Sequence, residues 1–356
     1  MERSEKAKRD RSGVTNLKSR LKAMIRASGP LSVATYMDLC LHDRRHGYYA
    51  TRPGLGEDFI TAPEISQVFG ELIGLWAAQA WQQMGAPETV TLVEVGPGRG
   101  TLITDALRAA ASADGFQAAC QLCFIEPSPV LRPILSERLS DHAPRFLDSL
   151  DQVPADDPII LIANEWLDCL PVQQFIRVGE AWHERVIGVN EDENLVMGLN
   201  SQAMPPEFTD ADNAEAIEIQ PGLTTLSARL GALFAQTPGR ALFIDYGPPK
   251  AIPADTLRSY QSGTQIDPLA APGASDLTCD VDFSRLVRLL KAQDLTVTGP
   301  TSQSEFLLSL GAEVRLNQLA KQHPDKADTL YQQVRRLVDP ADMGTRFQTV
   351  QVASAE

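Results

Sequence analysis

The ten residues VEVGPGRGTL, from Val93 to Leu102, constrain the fold of this chain more than any other stretch. Val93 and Val95 belong to a β-branched, buried strand pattern, whereas apolar residues recur at helical spacing from Thr101 onward. The turn between them carries a glycine at every second position: Gly96, Gly98 and Gly100. Such a turn lets a nucleotide-like ligand lie against bare backbone, close to the free N–H groups of the next helix. The stretch therefore indicates an α/β protein with a ligand site at this turn.

Two acidic residues narrow the class of ligand. Glu126 closes the next predicted strand, where a carboxylate accepts hydrogen bonds from the ribose hydroxyls of an adenosine ligand. Dinucleotides and S-adenosylmethionine share this geometry, so the turn itself has to discriminate between them. Pro97 removes one N–H donor and Glu94 adds a carboxylate, which suits a cationic sulfonium with an amino-acid tail better than a pyrophosphate. A purely structural turn and an NAD-linked oxidoreductase are the alternatives at this point.

Composition and charge exclude several classes of function. The chain of 356 residues is 43% hydrophobic, and no apolar run approaches the roughly 20 residues that a membrane helix needs. Its net charge is −14, although the first 26 residues carry nine lysines and arginines against three acidic residues. An acidic body disfavours nucleic-acid binding, because nothing offsets the repulsion of the phosphates. The amino terminus lacks the apolar core of a secretory signal, and the five cysteines are scattered. We therefore expect no membrane insertion, no metal site and a cytoplasmic location, or the mitochondrial matrix if the chain is eukaryotic.

The order of the predicted elements indicates a parallel, doubly wound sheet. Strands and helices alternate: strand 90–95, helix 100–111, strand 121–125, helix 128–139 and strand 158–163. Helices are predicted upstream over 15–45 and 64–83, and short antiparallel strands follow over 172–178, 181–189 and 194–199. The remaining predictions are helix 223–235, strand 240–246, helix 282–292, strand 295–299, helices 303–310 and 313–338, and strand 346–353.

These elements suggest four segments. They are an N-terminal helical region with a pocket-covering loop (1–88), the first half of the sheet domain (89–171), an inserted β meander and helix (172–238), and the second half of the sheet domain (239–356).

The stretch ILIANEWLDCLPV places polar groups at the carboxyl edge of the sheet, where open α/β sheets bind ligands. These groups are Asn164, Glu165 and Asp168. If the segment is helical, the two acids share one face and can clamp a cation. The alternative is a helix N-terminus at which acidic residues are stabilising by themselves.

Three polar, glycine-rich loops are expected to face a substrate. The loop 47–66 is too long for a simple connection, and its aromatic residues favour an ordered cover over the pocket. The loops 243–250 and 267–283 carry further acids, but their spacing does not follow a calcium-binding loop. The candidate substrate-side residues are Asp58, Thr61, Asp245, Tyr246 and Asp276.

Together, seven blocks resemble the MidA-like family of S-adenosylmethionine-dependent methyltransferases, which are related to a mitochondrial complex I assembly factor. In order, they are GYYATRPGLGEDFITAPEISQVFGELIG, VEVGPGRGTL, IEPSPVLR, ANEWLDCLPVQQF, FIDYG, DPLAAPGASDLTCDVDF and DPADMGTRF. The resemblance implies a Rossmann-like class I methyltransferase with a seven-stranded, mostly parallel sheet, an N-terminal helical extension and an insertion. It also implies S-adenosyl-L-methionine as cofactor, and symmetric ω-N dimethylation of an arginine on a core subunit of NADH dehydrogenase.

The resemblance also assigns residues. Gly96, Gly98 and Gly100 match the cofactor loop, Glu126 the ribose acid, and Asn164 with Glu165 the motif after the strand; Asp148 and Ser149 occupy the usual adenine-contact position. Asp255 and Ser304 depart from the family pattern in substrate-side loops, which leaves the identity of the substrate open.

A guanidinium is protonated at neutral pH, so its methylation needs carboxylates that localise the charge and accept a proton. Glu165 and Asp168 are the candidates, and Glu64 and Asp58 from the cover loop come second. Two rival hypotheses are a methyltransferase that acts on another protein or a small molecule, and a non-catalytic assembly chaperone that keeps the fold.

Overall fold

The computed structural model describes residues 16–52, 60–203, 214–250, 252 and 254–355. Contacts divide the chain into two compact units. The meander unit comprises the chain up to Thr51 together with Pro171–Ile219 and Pro253–Leu277, and the core unit comprises Arg52–Leu170, Gln220–Ile252 and Thr278–Glu356. This grouping differs from the four expected segments, because contacts made in three dimensions join pieces that are distant in the sequence.

The strands of the described residues are β1 (Leu31–Ser32), β2 (Val90–Val95), β3 (Cys120–Ile125), β4 (Arg145–Leu147), β5 (Ile159–Asn164), β6 (Gln173–Val178), β7 (Ala181–Val189), β8 (Leu195–Ala203), β9 (Ala216–Ile219), β10 (Gly239–Tyr246), β11 (Arg258–Gln261), β12 (Thr264–Ile266), β13 (Asp276–Thr278), β14 (Thr296–Ser302) and β15 (Phe347–Ala353).

The α-helices of the same residues are α1 (Leu17–Ser28), α2 (Val33–His42), α3 (Tyr48–Thr51), α4 (Ala62–Ile65), α5 (Gln67–Gln83), α6 (Thr101–Ala110), α7 (Phe116–Ala119), α8 (Leu131–Arg138), α9 (Pro221–Phe234), α10 (Phe283–Lys291), α11 (Gln303–Ser309), α12 (Ala312–Gln322) and α13 (Ala327–Val338). Short 3₁₀ turns lie at Ser140–His142, Leu150–Gln152 and Pro324–Lys326.

The core unit is built on a seven-stranded sheet with the order β14-β15-β10-β5-β2-β3-β4. The five strands from β10 to β4 are parallel, whereas β15 is antiparallel to both of its neighbours. The predicted doubly wound, mostly parallel sheet is therefore confirmed. Because parallel strands end at the same edge, the segments that follow β2, β3, β5 and β10 meet there.

Alternating residues of the sheet pack into two apolar layers, one on each face. On one face, Leu92, Ile160 and Ile244 contact residues of α5, α6 and α12. On the other face, Val93 and Leu161 pack against residues of α9 and α10. Burial on both faces explains why β5 is an unbroken apolar run up to Asn164.

The meander unit holds strands of two smaller sheets, in which β11 and β12 and all pairs of the first sheet are antiparallel. In the first, β7 pairs with β1, β6 and β8, and β6 also pairs with β9. In the second, β11 lies between β12 and β13. The strand predicted over 181–189 is present as β7, and β8 extends four residues beyond its predicted end.

Two predicted helices are interrupted. The helix expected over 64–83 breaks at Ser66, which is extended (φ −151°, ψ 132°) and whose hydroxyl accepts a hydrogen bond from the N–H of Val68. The helix expected over 313–338 breaks at His323, because Pro324 cannot continue the hydrogen-bond ladder.

Candidate active site

The turn after β2 has three left-handed glycines. The φ angles of Gly96, Gly98 and Gly100 are 65°, 54° and 77°, values that residues with a Cβ rarely adopt. The N–H of Gly100 donates to the carbonyl of Pro97 at 2.8 Å, which closes the turn directly before α6. A Cβ built on Gly98 would meet no heavy atom within 4 Å. At Gly98 the turn thus presents bare backbone to open space, as the sequence predicts for a cofactor loop.

Glu94 is the buried acid below this turn. Its side chain is on β2, the residue is only 3% exposed, and Oε2 has no hydrogen-bond partner among the described residues. Burial, together with the nearby charge of Glu126, raises the pKa of Glu94 to about 8. A cation would restore the stability of the ionised form, so this position fits a ligand with an ammonium or sulfonium group.

Glu126 follows β3 and is also buried. One carboxylate oxygen accepts the N–H of Ser128 at 2.8 Å. Burial raises the pKa of Glu126 to about 7, against the lowering effects of the Ser128 amide and the Arg132 charge. Glu94 and Glu126 thus lie at the ends of adjacent parallel strands, which is the relationship predicted for a site that holds an adenosyl sulfonium.

Arg132, on α8, was not predicted as a site residue. Its Nε donates to the carbonyl of Glu126 at 2.6 Å, and its Nη2 donates to the carbonyl of Leu147 at 3.3 Å and pairs with Asp148. Arg132 therefore joins the ends of β3 and β4. In the sequence, the only signal is a basic residue six positions after Glu126 in IEPSPVLR.

The expected adenine-contact residues lie at the end of β4. The side chain of Asp148 is more than half exposed and pairs with Arg132, while Ser149 is half-buried. The N–H of Asp148 donates to Oε1 of Gln152 at 2.7 Å. Both residues are at the sheet edge that carries Glu94 and Glu126.

Glu165 directly follows β5 and adopts the left-handed conformation, with a φ of 50°. Its N–H donates to the carbonyl of Ile244 at 2.8 Å. Its Oε1 accepts the N–H of Ala62 at 2.9 Å and the Nδ2 of Asn164 at 3.1 Å, while the Oδ1 of Asn164 has no partner among the described residues. Burial raises the pKa of Glu165 to about 7, and the charges of Asp168 and Glu64 add to this.

The segment after β5 does not meet the condition under which Glu165 and Asp168 would share a helical face. The segment from Glu165 to Leu170 forms bends and turns, so Glu165 and Asp168 do not share a helical face, and no helix begins there. Asp168 is buried, and its Oδ2 accepts the hydroxyl of Thr278 at 2.7 Å. The hydroxyls of Thr278 and Tyr246 are also hydrogen-bonded to each other. Burial raises the pKa of Asp168.

Asp245 does not face a substrate, contrary to expectation. It is 0% exposed, and its Oδ2 accepts the N–H groups of Trp166, Leu167 and Asp168 at 2.9, 2.7 and 3.2 Å. Its Oδ1 accepts the N–H of Tyr246 at 2.8 Å. Tyr246 is half-buried, with the guanidinium of Arg346 5.2 Å from the centre of its ring.

The other predicted substrate-side residues belong to different units of the chain or lie outside the described residues. In the core unit, Thr61 precedes α4 and accepts the N–H of Glu64 through its carbonyl, and the Glu64 side chain is exposed. Asp276 belongs to the meander unit, where it is buried and accepts the hydroxyl of Tyr49 at 2.8 Å. Asp58 lies outside the described residues.

Neither a metal centre nor a membrane span is found in the described parts of the chain. They contain no group of three or more His, Cys, Asp or Glu residues that could hold a metal ion. Within the same ranges, no helix is long and apolar enough to cross a bilayer.

The sheet order, the glycine turn and the two acids at adjacent strand ends define a Rossmann-like methyltransferase. Residues 72–301 match a family described as "Putative S-adenosyl-L-methionine-dependent methyltransferase".

Two curated relatives are similar over nearly the whole chain. Protein arginine methyltransferase NDUFAF7, mitochondrial, from Homo sapiens is 34% identical over 94% of this chain and 82% of its own length. The NDUFAF7 homolog from Drosophila melanogaster is 32% identical over 97% of this chain and 86% of its own length.

A solved structure shows the same architecture with a ligand. It is a "likely methyl transferase from Burkholderia thailandensis bound to S-adenosyl-homocysteine". It superimposes with a TM-score of 0.82 and 26% identity, covering 95% of this chain and 91% of its own. The chain belongs to this family of S-adenosylmethionine-dependent methyltransferases, which confirms the MidA-like resemblance and the cofactor.

Proposed function

We propose that this methyltransferase transfers methyl groups to an ω-nitrogen of a protein arginine. The single observation that carries the proposal is Glu165, a half-buried carboxylate with a pKa near 7 beside a second carboxylate, Glu64. The names of the relatives support arginine as the acceptor. We further propose, from the family resemblance, that the protein which accepts the methyl groups is a core subunit of NADH dehydrogenase and that the dimethylation is symmetric. In this proposal the modification supports assembly of the complex, in the cytoplasm or the mitochondrial matrix.

The cofactor would lie along the edge formed by β2, β3 and β4. Glu94 has a carboxylate oxygen that no described residue pairs with and that can face the cationic part of the cofactor, and Gly98 leaves room for the cofactor beside the backbone. Glu126 would accept hydrogen bonds from the ribose hydroxyls, and Asp148 and Ser149 would contact the adenine. Asn164, whose Oδ1 has no partner in the described parts of the chain, lies beside Glu165. The family loop contributes the remaining contacts through Gly96 and Gly100.

The bound cofactor supplies a methyl group on a good leaving group, so the protein mainly orients the reactants and excludes water. A new N–C bond forms on the guanidinium while the S–C bond breaks, and one proton must leave the nitrogen. Glu165 can receive this proton because its carboxylate ionises near neutral pH. Glu64 is the second candidate acceptor. Asp168 is buried and accepts a hydrogen bond from Thr278, so we assign it a structural role in the site.

Transfer of a labelled methyl group to arginine tests the proposal. Purified protein is incubated with S-adenosylmethionine labelled in the methyl group and with protein extract from cells that lack the gene. The labelled protein is then identified by mass spectrometry, and its amino acids are analysed after hydrolysis. Label in symmetric dimethylarginine of an NADH dehydrogenase subunit is expected. Label in another residue or in a small molecule would contradict the proposed acceptor, and cofactor binding without any transfer would favour an assembly chaperone.

A further inference from the structure

Glu165 holds a backbone conformation that its own residue type does not favour. Its φ of 50° is in the left-handed region, where residues with a Cβ are strained. No helix or strand stabilises the next three residues. Something outside the segment must therefore hold Glu165 in place.

The neighbouring strand supplies that support. Three successive N–H groups, those of Trp166, Leu167 and Asp168, converge on one oxygen of Asp245 at 2.7–3.2 Å. Successive N–H groups beside a left-handed residue form a concave anion site, and here a carboxylate of the protein itself fills it. Asp245 is fully buried at the end of β10, which is hydrogen-bonded to β5 along its length.

We infer that Asp245 is a positioning residue that fixes the Glu165 carboxylate for methyl transfer, an inference that rests on the proposed function of Glu165. Asp245 can hold the turn because it supplies a buried oxygen that accepts hydrogen bonds at this position. An amide oxygen can take the place of Oδ2 and accept the three N–H groups of the turn, so Asp245→Asn should retain the turn, although its Nδ2 replaces the oxygen that accepts the N–H of Tyr246. Asp245→Ala removes both oxygens and with them all four hydrogen bonds.

Hydrogen exchange measures this positioning independently of activity. In the wild-type protein, the amides of Trp166, Leu167 and Asp168 should exchange slowly although they lie outside regular secondary structure. Asp245→Ala should accelerate exchange in a peptide covering 164–170 at least tenfold and leave one covering 120–126 unchanged. Fast exchange of these amides in the wild-type protein would overturn the inference even if the alanine variant does not fold.

Turnover and cofactor affinity separate positioning from general stability. With S-adenosylhomocysteine as the probe, Asp245→Ala should bind within threefold of the wild type but lose at least 30-fold in kcat, and Asp245→Asn should keep kcat within fivefold. The matched control is Asp282→Ala, which removes another carboxylate that accepts a backbone N–H, at the start of α10; its kcat should be unchanged.

Three results would contradict the inference: a kcat of Asp245→Ala within threefold of the wild type, equal losses of affinity and kcat, or an equal loss in Asp282→Ala. If the wild type transfers no methyl group to arginine, the proposed function fails, whereas the exchange experiment still decides whether Asp245 holds the turn.

Discussion

The backbone N–H of Ala62 donates a hydrogen bond of 2.9 Å to the carboxylate of Glu165, across 103 positions of the chain. The bond joins the start of α4 to the end of β5. It also brings Glu64, on α4, close enough for its charge to raise the pKa of Glu165. The segment expected to cover the pocket thus takes part in the electrostatics of the candidate proton acceptor.

Glu64→Gln should shift the pH dependence of methyl transfer. Removing a neighbouring negative charge lowers the pKa of Glu165, so the pH of half-maximal kcat should fall by several tenths of a unit while kcat at high pH is retained. Initial rates between pH 5.5 and 9 measure this, with exposed Glu88→Gln as the control. A large loss of kcat at every pH would instead assign Glu64 as the proton acceptor.

Gly98→Ala should weaken cofactor binding far more than it weakens folding. Gly98 and Gly85 both have a positive φ and open space at the Cβ position, so each alanine should cost about 1 kcal/mol of unfolding free energy. Only the methyl group at 98 would occupy the cofactor loop, and it should reduce S-adenosylhomocysteine affinity at least tenfold by calorimetry. Equal affinities of the two variants would place the cofactor elsewhere.

Arg132→Gln should raise the Kd for S-adenosylhomocysteine about tenfold and leave kcat at saturating cofactor nearly unchanged. Arg132 holds the carbonyl of Glu126 and the carboxylate of Asp148, so its loss frees both proposed cofactor contacts. Arg145→Gln, an exposed arginine on β4, serves as the control. An unchanged Kd for Arg132→Gln would mean that the hydrogen bonds of Arg132 to the ends of β3 and β4 are not required for cofactor binding.

The stability of the unliganded protein should fall as pH rises from about 5 to 8. The pKa of Glu94 is about 8 in the folded protein and near its ordinary value of 4.5 when unfolded, so the folded state binds this proton more tightly. Stability from this group is complete below the unfolded pKa and is lost as pH rises through the folded pKa, on the order of 5 kcal/mol in total. Denaturant unfolding at several pH values measures the slope.

The affinity for the cofactor should change with pH in the direction opposite to the stability. Affinity for cationic S-adenosylmethionine should rise over the same pH range, since the ionised carboxylate is the form that attracts it. Glu94→Gln should flatten both dependences. A stability that does not change with pH, and that Glu94→Gln leaves unaltered, would show that Glu94 is ionised without the ligand.

The sheet could be predicted from the sequence because its signal is local. The buried run that forms β5 and the strand–glycine–helix pattern around Gly96 each specify their own element. The order of helices and strands then restricts the topology to a doubly wound sheet, so the ends of β2 and β3 could be placed side by side with Glu94 and Glu126 at the same edge.

What the sequence did not reveal depends on long-range hydrogen bonds. The spacing of Glu165 and Asp168 left open whether the segment is helical; Asp245, almost 80 positions away, accepts the N–H groups of Trp166, Leu167 and Asp168, which form a turn. Asp245 itself resembled a substrate contact, because an acid after a buried strand usually points to a site. Only the three-dimensional structure shows that the Asp245 carboxylate accepts its hydrogen bonds from backbone N–H groups of the protein.

Glu165→Gln tests whether Glu165 receives the proton that is released by methyl transfer. The substitution preserves the size of the side chain and an acceptor for the Ala62 N–H, but removes the group that receives the proton. Single-turnover methyl transfer to the arginine acceptor is measured at pH 8, with S-adenosylhomocysteine affinity measured on the same preparation. We predict at least a 100-fold loss of rate with affinity within threefold of the wild type; a rate within threefold of the wild type would contradict the role of Glu165 as proton acceptor.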